Sequence, residues 1–306
     1  MNLFHKKDQY QGYNIYSMKK YVDKKRIIFT TIIVILIIIT LGFIIYYSVD
    51  TTIRLKNAKR FEQKLIEYES SQEELQKQEK ERQAKIPKLT DEGKQNIKGI
   101  YKSETKRVFL TFDDGPSVNT ADVLDILKSN DIKATFFVLG TQVEKMPEMV
   151  KRAYQEGHYI ANHGYSHQYS QIYSSPETVL QEFNQCNSAV AKAIDVPEYN
   201  SHLFRFPGGS VGGKYANLKA EAVTLLEQNN IMHVDWNALT GDAEKSSPDE
   251  EYLMNNLQKT TQNKNSIVIL MHDAQAKRVT VEFLPKLIEF FQQQGYQFEN
   301  FYSIIK

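Results

Sequence analysis

A chain of 306 residues has room for about one to two folded domains. With Lys+Arg 38 against Asp+Glu 37 the net charge is +1, which excludes a general nucleic-acid binder, because affinity for phosphate backbones needs a basic field. The single cysteine, Cys186, excludes an intrachain disulfide and reads as a lone buried thiol.

Residues 1–26 hold seven Lys or Arg against two Asp, a local +5, together with Tyr10, Tyr13, Tyr16 and Tyr21, whose purpose the sequence leaves open. Residues 27–49 carry no charge, are dominated by Ile and end in Tyr46 and Tyr47. Those 23 residues at helical rise span about 34 Å, enough to cross a bilayer. The basic flank predicts a cytoplasmic tail and the tyrosines suit the far interface, so everything after Asp50 is expected outside the cell. A cleavable signal peptide is the rival reading. The long apolar run, with no small-residue cleavage pattern after it, favours an uncleaved signal anchor in a single-pass membrane protein.

Residues 50–104 change character, with Glu, Gln and Lys dominant. Ala58, Phe61, Leu65, Tyr68 and Leu75 recur at three- and four-residue steps, which predicts a helix over 51–86 with a narrow apolar stripe, ended by Pro87. The stripe fades after Leu75, so the segment reads as a stem and linker, capable at most of weak self-association.

From 105 to 306 short apolar runs alternate with helical segments. Strands are predicted at 108–112, 134–138, 158–162, 203–206, 231–236, 267–271 and near 296–304. Helices are predicted at 120–129, 146–156, 177–194, 216–229, 248–262 and 280–294. Pro147, Pro176 and Pro248 stand where helices begin, and Gly157 and Gly295 where they end. The alternation predicts an α/β fold with a parallel sheet, open or closed into a barrel, and ligands at the C-terminal strand ends.

The chemistry collects at those ends. The first strand stops on Asp113-Asp114-Gly115-Pro116, and two adjacent carboxylates are costly unless a cation lies beside them. Later strands end in Asn162-His163-Gly164-Tyr165-Ser166-His167, in Arg205-Phe206-Pro207-Gly208-Gly209, in Asp235-Trp236-Asn237 leading to Asp242, and in Leu270-Met271-His272-Asp273. His163 and His167, four apart, are expected on one face of a helical turn. With an Asp from another strand end they make two nitrogens and one oxygen, the open set of a hydrolytic zinc site. Asp273 reads as orienting a neighbouring ring or holding a turn. His5, His158, His202 and His233 lack such partners and read as structural or solvated, and Trp236 reads as core.

Thr-Phe-Asp-Asp-Gly-Pro, His-Gly-Tyr-Ser-His, Arg-Phe-Pro-Gly-Gly and Leu-Met-His-Asp, in this order, resemble the motifs of the NodB-homology polysaccharide deacetylases, carbohydrate esterase family 4. The resemblance covers residues 105–304. The anchor and stem resemble those of bacterial peptidoglycan N-acetylglucosamine deacetylases. It implies a distorted (β/α) barrel of about seven strands, preceded by a transmembrane helix and a helical stem. It implies a divalent metal, commonly zinc with cobalt or others possible, held by Asp114, His163 and His167. Asp113 would be the general base and His272 the general acid. Arg205 would hold Asp113, Asp242 would brace Arg205, a backbone N–H near Gly208 would face the oxyanion, and Leu270 would line the acetyl pocket.

Two departures stand out. Gly208 occupies a position where the family often has Tyr, and Ala243 follows Asp242 where many members have Trp; both open the cleft. The leading expectation is N-deacetylation of cell-wall glycan, modifying the wall against lysozyme-type hydrolases. The alternatives are a deacetylase or esterase of another acetylated polymer (poly-N-acetylglucosamine, chitin or xylan) and a catalytically silent glycan-binding module.

Overall fold

A computed structural model describes residues 11–305, which fall into two compact units divided between Gln78 and Glu79. The first ten residues of the basic tail, with His5 and Tyr10, lie outside the described residues.

One helix, Gln11–Ala84, runs through the apolar stretch and most of the charged one without a break. No proline interrupts it, and the threonines of the apolar run satisfy their hydroxyls on its own backbone. Thr30 and Thr31 donate to Ile27 O at 2.8 Å, and Thr40 donates to Ile37 O at 2.9 Å. The helix is long and apolar enough near its N-terminal part to cross a membrane. Farther along, Phe61, Leu65, Tyr68 and Leu75 of the predicted stripe are exposed.

The second unit is built on a parallel sheet whose strands are β1 (Arg107–Asp113), β2 (Thr135–Val138), β3 (Tyr159–Asn162), β4 (Leu203–Phe204), β5 (Met232–His233), β6 (Ala238–Leu239), β7 (Ser266–His272) and β8 (Gln297–Glu299). Seven of them follow in the order β5-β4-β3-β2-β1-β7-β6, a curled half-barrel, and β8 pairs with the first half of β1. β1 is the hub: all seven of its residues are in register with β7, while its C-terminal half pairs with β2. The run predicted near 296–304 is a three-residue strand followed by a 3₁₀ turn, Phe301–Ser303. The two-residue β6 was not anticipated, and the run 231–236 is strand only at Met232–His233.

Side chains alternate across a strand, and here the alternation sorts core from chemistry. Val108, Leu110 and Phe112 of β1, with Ile267, Ile269 and Met271 of β7, face outward and pack on helices such as Val118–Ser129 and Arg278–Gln293. Phe109, Phe137, Tyr159, Leu203 and Val268 face inward, where Ile97, Ile100 and Phe301 plug the half-barrel. Continuing each inward series by two-residue steps reaches Asp113, His163, Arg205 and His272. The lower rungs are apolar and buried; the top rungs carry the titratable groups. Phe206 stays on the outward side with Phe204. Cys186 is buried, its thiol donating to Val138 O at 3.3 Å.

Candidate active site

The site is a cleft of about 270 Å³ at the C-terminal strand ends, lined by Asp113, Asp114, His163, His167, Asp242 and His272 among others. A larger hollow of about 880 Å³ opens at the opposite strand ends beside Lys106, Asn265 and Tyr296, with no carboxylate or imidazole in its lining.

Asp114 and His167 both adopt left-handed backbone, φ +71° and +58°, an uncommon conformation outside glycine that persists only where the surroundings impose it. Gly115 follows because a side chain there has no room: a Cβ would lie 2.3 Å from Asp273 Oδ2. Asp114 Oδ1 is buried without a hydrogen-bond partner, 3.5 Å from His163 Nε2 and 3.4 Å from His167 Nε2. One ligand atom from each of the three residues lies within 4.8 Å of the others. Donors held at about 2.0–2.1 Å from a tetrahedral ion stand about 3.3 Å apart, so this set fits a divalent cation. The histidines do not share a helical turn as expected. His163 leaves the end of β3, and residues 163–168 form an irregular bend through Gly164 (φ +90°) before the next helix, Tyr169–Ile172.

Two contacts shape that bend. His163 Nδ1 lies 2.7 Å from Arg205 O; a carbonyl only accepts, so Nδ1 carries the proton and Nε2 turns its lone pair toward Asp114. Burial pushes the His163 imidazole down to about 3, keeping it neutral. Glu182, on the helix Pro176–Ile194, accepts from Tyr165 N at 2.6 Å, Ser166 N at 2.7 Å and Ser166 Oγ at 2.7 Å, clamping the segment between the histidines. Sequence reasoning missed Glu182. Its signal is one acidic residue, buried, on a helix face otherwise made of Val179, Phe183, Cys186 and Val190.

Asp113 and Arg205 are a buried pair: Arg205 Nη1 donates to Asp113 Oδ1 at 2.9 Å and to Thr111 Oγ1 at 2.7 Å. Arg205 also donates from Nε to Val234 O and from Nη2 to Asp235 O, and lies 3.9 Å from the Phe137 ring centroid. Burial raises the Asp113 carboxyl above its ordinary value, with Arg205 pulling against it. Because Arg205 is fully buried, Arg205→Met leaves Asp113 without its partner and is expected to cost about 3–5 kcal/mol, read as a lowered urea midpoint. A loss below about 1 kcal/mol would show that the carboxylate does not depend on the guanidinium.

Asp242 does not brace Arg205. Its Oδ1 lies 3.0 Å from His272 Nδ1, and its Oδ2 accepts from His272 N at 2.8 Å and Thr280 Oγ1 at 2.7 Å. Arg205 is satisfied by strand-end carbonyls instead, which frees Asp242 for the imidazole on neighbouring β7. Burial alone would lower His272, but the hydrogen bond and charge of Asp242, joined by Asp113 and Asp114, outweigh it and raise the ring to about 9. Leu270 lines the cleft two residues below His272 on the same inward face. The Gly208 N–H makes no hydrogen bond among the described residues.

Trp236 is half-buried and lines the cleft rather than the core, a correction to the sequence reading. Asp273 holds the turn: its carboxylate accepts from Thr120 Oγ1 at 2.5 Å, and burial raises it to about 7. His158 is structural, its Nδ1 accepting from Ala134 N at 2.9 Å.

Residues 101–225 match the family model described as polysaccharide deacetylase. A Bacillus cereus peptidoglycan-N-acetylglucosamine deacetylase is 33% identical over 205 residues, 65% of this chain and 71% of that protein. The chain belongs to the polysaccharide deacetylase family. Bacillus subtilis YheN is 36% identical over 198 residues, 63% of this chain and 66% of YheN. Among solved structures, a Streptococcus mutans CE4 esterase aligns with TM-score 0.62 and 29% identity over 71% of this chain and 93% of that one. The catalytic domain of an Eubacterium rectale peptidoglycan N-acetylglucosamine deacetylase aligns with TM-score 0.59 and 31% identity, covering 65% and 90%. The curled parallel sheet of this chain is consistent with the (β/α) barrel of carbohydrate esterase family 4, the class named for the Streptococcus mutans structure.

Proposed function

We propose that the chain is a membrane-anchored, metal-dependent hydrolase that removes N-acetyl groups from cell-wall glycan, peptidoglycan N-acetylglucosamine first among its substrates. The observation that carries the reading is one cleft holding an Asp-His-His donor set, a buried carboxylate and an Asp-backed histidine. Binding alone requires no such acid and base, which weighs against a silent module. The names of the Bacillus cereus and Eubacterium rectale relatives favour peptidoglycan over chitin or xylan.

Asp114, His163 and His167 would hold the cation, zinc in preference to cobalt, which when bound polarises the acetyl carbonyl and brings water within reach of deprotonation near neutral pH. Asp113, kept in place by Arg205, takes the proton of the attacking water. The Gly208 N–H donates to the developing oxyanion, and Leu270 packs on the acetyl methyl. His272, with Nδ1–H on Asp242, presents Nε2–H to the amide nitrogen and protonates it as the C–N bond breaks, releasing acetate and a free amine. A ring raised to about 9 is protonated at neutral pH and ready for that step.

His272 must be protonated to act, so activity falls as pH rises through its pKa. Asp242→Asn removes the charge that raises the ring, and the alkaline limb of kcat/KM is expected to move from near 9 toward the ordinary 6.5. An unmoved limb would mean that His272 is not the acid.

In the same reading residues 1–26 form the cytoplasmic tail, 27–49 the anchor, 50–104 the stem with weak self-association, and 105–306 the extracellular catalytic domain. An anchored site keeps an insoluble polymer within reach, and freed amines make the wall a poorer ligand for lysozyme-type hydrolases. Mass analysis of digested wall before and after treatment tests the substrate. Acetyl loss on N-acetylglucosamine is expected; loss confined to another sugar or polymer would redirect the assignment.

A further inference from the structure

Gly208 and Gly209 form a bare turn after β4, with φ of +74° and +80°. A Cβ on Gly208 would lie 2.6 Å from Tyr169 Oη, and one on Gly209 would lie 3.4 Å from the Trp236 ring. The space beside residue 208, which a larger side chain would claim, is therefore taken by a tyrosine delivered from the segment after neighbouring β3. Tyr169 follows the histidine segment directly, and its ring is held in place. It meets His167 edge-on at 5.6 Å and Tyr173 at 5.6 Å. Tyr173 is itself fixed, its hydroxyl donating to Pro207 O at 2.7 Å and its ring lying 5.1 Å from that of Tyr215.

Tyr169 nonetheless stays 41% exposed and lines the cleft. Its hydroxyl makes no hydrogen bond among the described residues. A rigid ring with an uncommitted hydroxyl, beside the candidate cation ligands, offers an apolar face for sugar C–H groups and a donor for a sugar hydroxyl. On the deacetylase reading above, we infer that Tyr169 is the positioning and specificity-determining residue for the hexosamine unit entering the cleft. Gly208 is bare so that Tyr169 can stand there. A side chain at 208 and the observed Tyr169 are mutually exclusive.

Binding is measured on metal-loaded Asp113→Asn protein, which on this account does not turn over, with the tetramer of N-acetylglucosamine as probe. Adding Tyr169→Ala is expected to weaken the tetramer by about tenfold and Tyr169→Phe by about threefold, with metal content unchanged. In the active protein Tyr169→Ala should raise KM for the tetramer by a larger factor than it lowers kcat, and should cost more in kcat/KM on the tetramer than on a small aryl acetate. Unchanged tetramer affinity in both Tyr169 variants overturns the inference, as does an equal loss on the aryl ester. Absence of acetate release by the unaltered protein would instead overturn the deacetylase reading, and the binding experiment separates the two.

Discussion

Asp113→Asn is expected to abolish acetate release while the cation stays bound. The substitution keeps shape and one oxygen for Arg205 Nη1, now 2.9 Å from Asp113 Oδ1, so the buried guanidinium retains an acceptor. What is lost is the ability to take a proton, worth about 10²–10⁴-fold in rate for a positioned general base. The cation should be indifferent. Asp114 Oδ1 stands 3.5 and 3.4 Å from the two imidazole nitrogens, whereas Asp113 Oδ2 is 3.8 Å from His163 Nε2 and its other oxygen is engaged by Arg205. Burial raises Asp113 above its ordinary 3.8, so the acid limb of the parent profile should lie above that value and vanish in the variant. Rates of acetate release, with metal content measured on the same samples, decide the point. Near-normal turnover in the Asn protein would move the base elsewhere.

His163→Ala should fail differently, by losing the metal. Removing one of three protein donors leaves an oxygen and one nitrogen, and it also frees Arg205 O, which fixes the ring through Nδ1. Activity should fall to the level of chelated parent protein, with metal content falling alongside. His163 is buried, so a thermal melt must accompany the assay to separate metal loss from unfolding. His167→Ala provides the control, because its side chain is 34% exposed and leaves little cavity. A His163→Ala protein that is folded, metal-replete and active would remove this residue from the donor set.

Most of this site was legible because its parts are local. A β-branched and aromatic run that stops on Asp-Asp-Gly-Pro states a strand and its C-terminal end within a few residues. The two-residue alternation then carries Asp113 inward beneath no further layer. The same holds for His272 at the end of Ser266–His272. Pairings between elements were not legible. Whether Asp242 meets Arg205 or His272 depends on β6 lying beside β7, and β6 is a two-residue strand with no periodicity to announce it. The His-x-x-x-His spacing suited a helical turn, yet Gly164 and the left-handed His167 allow a bend that serves the same two nitrogens. Glu182 and Tyr169 escaped for a related reason: each acts on a segment reached only through the fold. Trp236 looked like core because an isolated aromatic residue usually is, and only the curl of the sheet opens it to the cleft.

In the proposed mechanism one cation, held by Asp114, His163 and His167, works on an acetylated hexosamine. The direct measurement is to strip the protein with chelator, add zinc in known amounts and follow acetate release from the tetramer of N-acetylglucosamine against zinc bound. Release should be absent without the ion, rise in proportion to occupancy and level off at one equivalent. Full release from metal-free protein would contradict it.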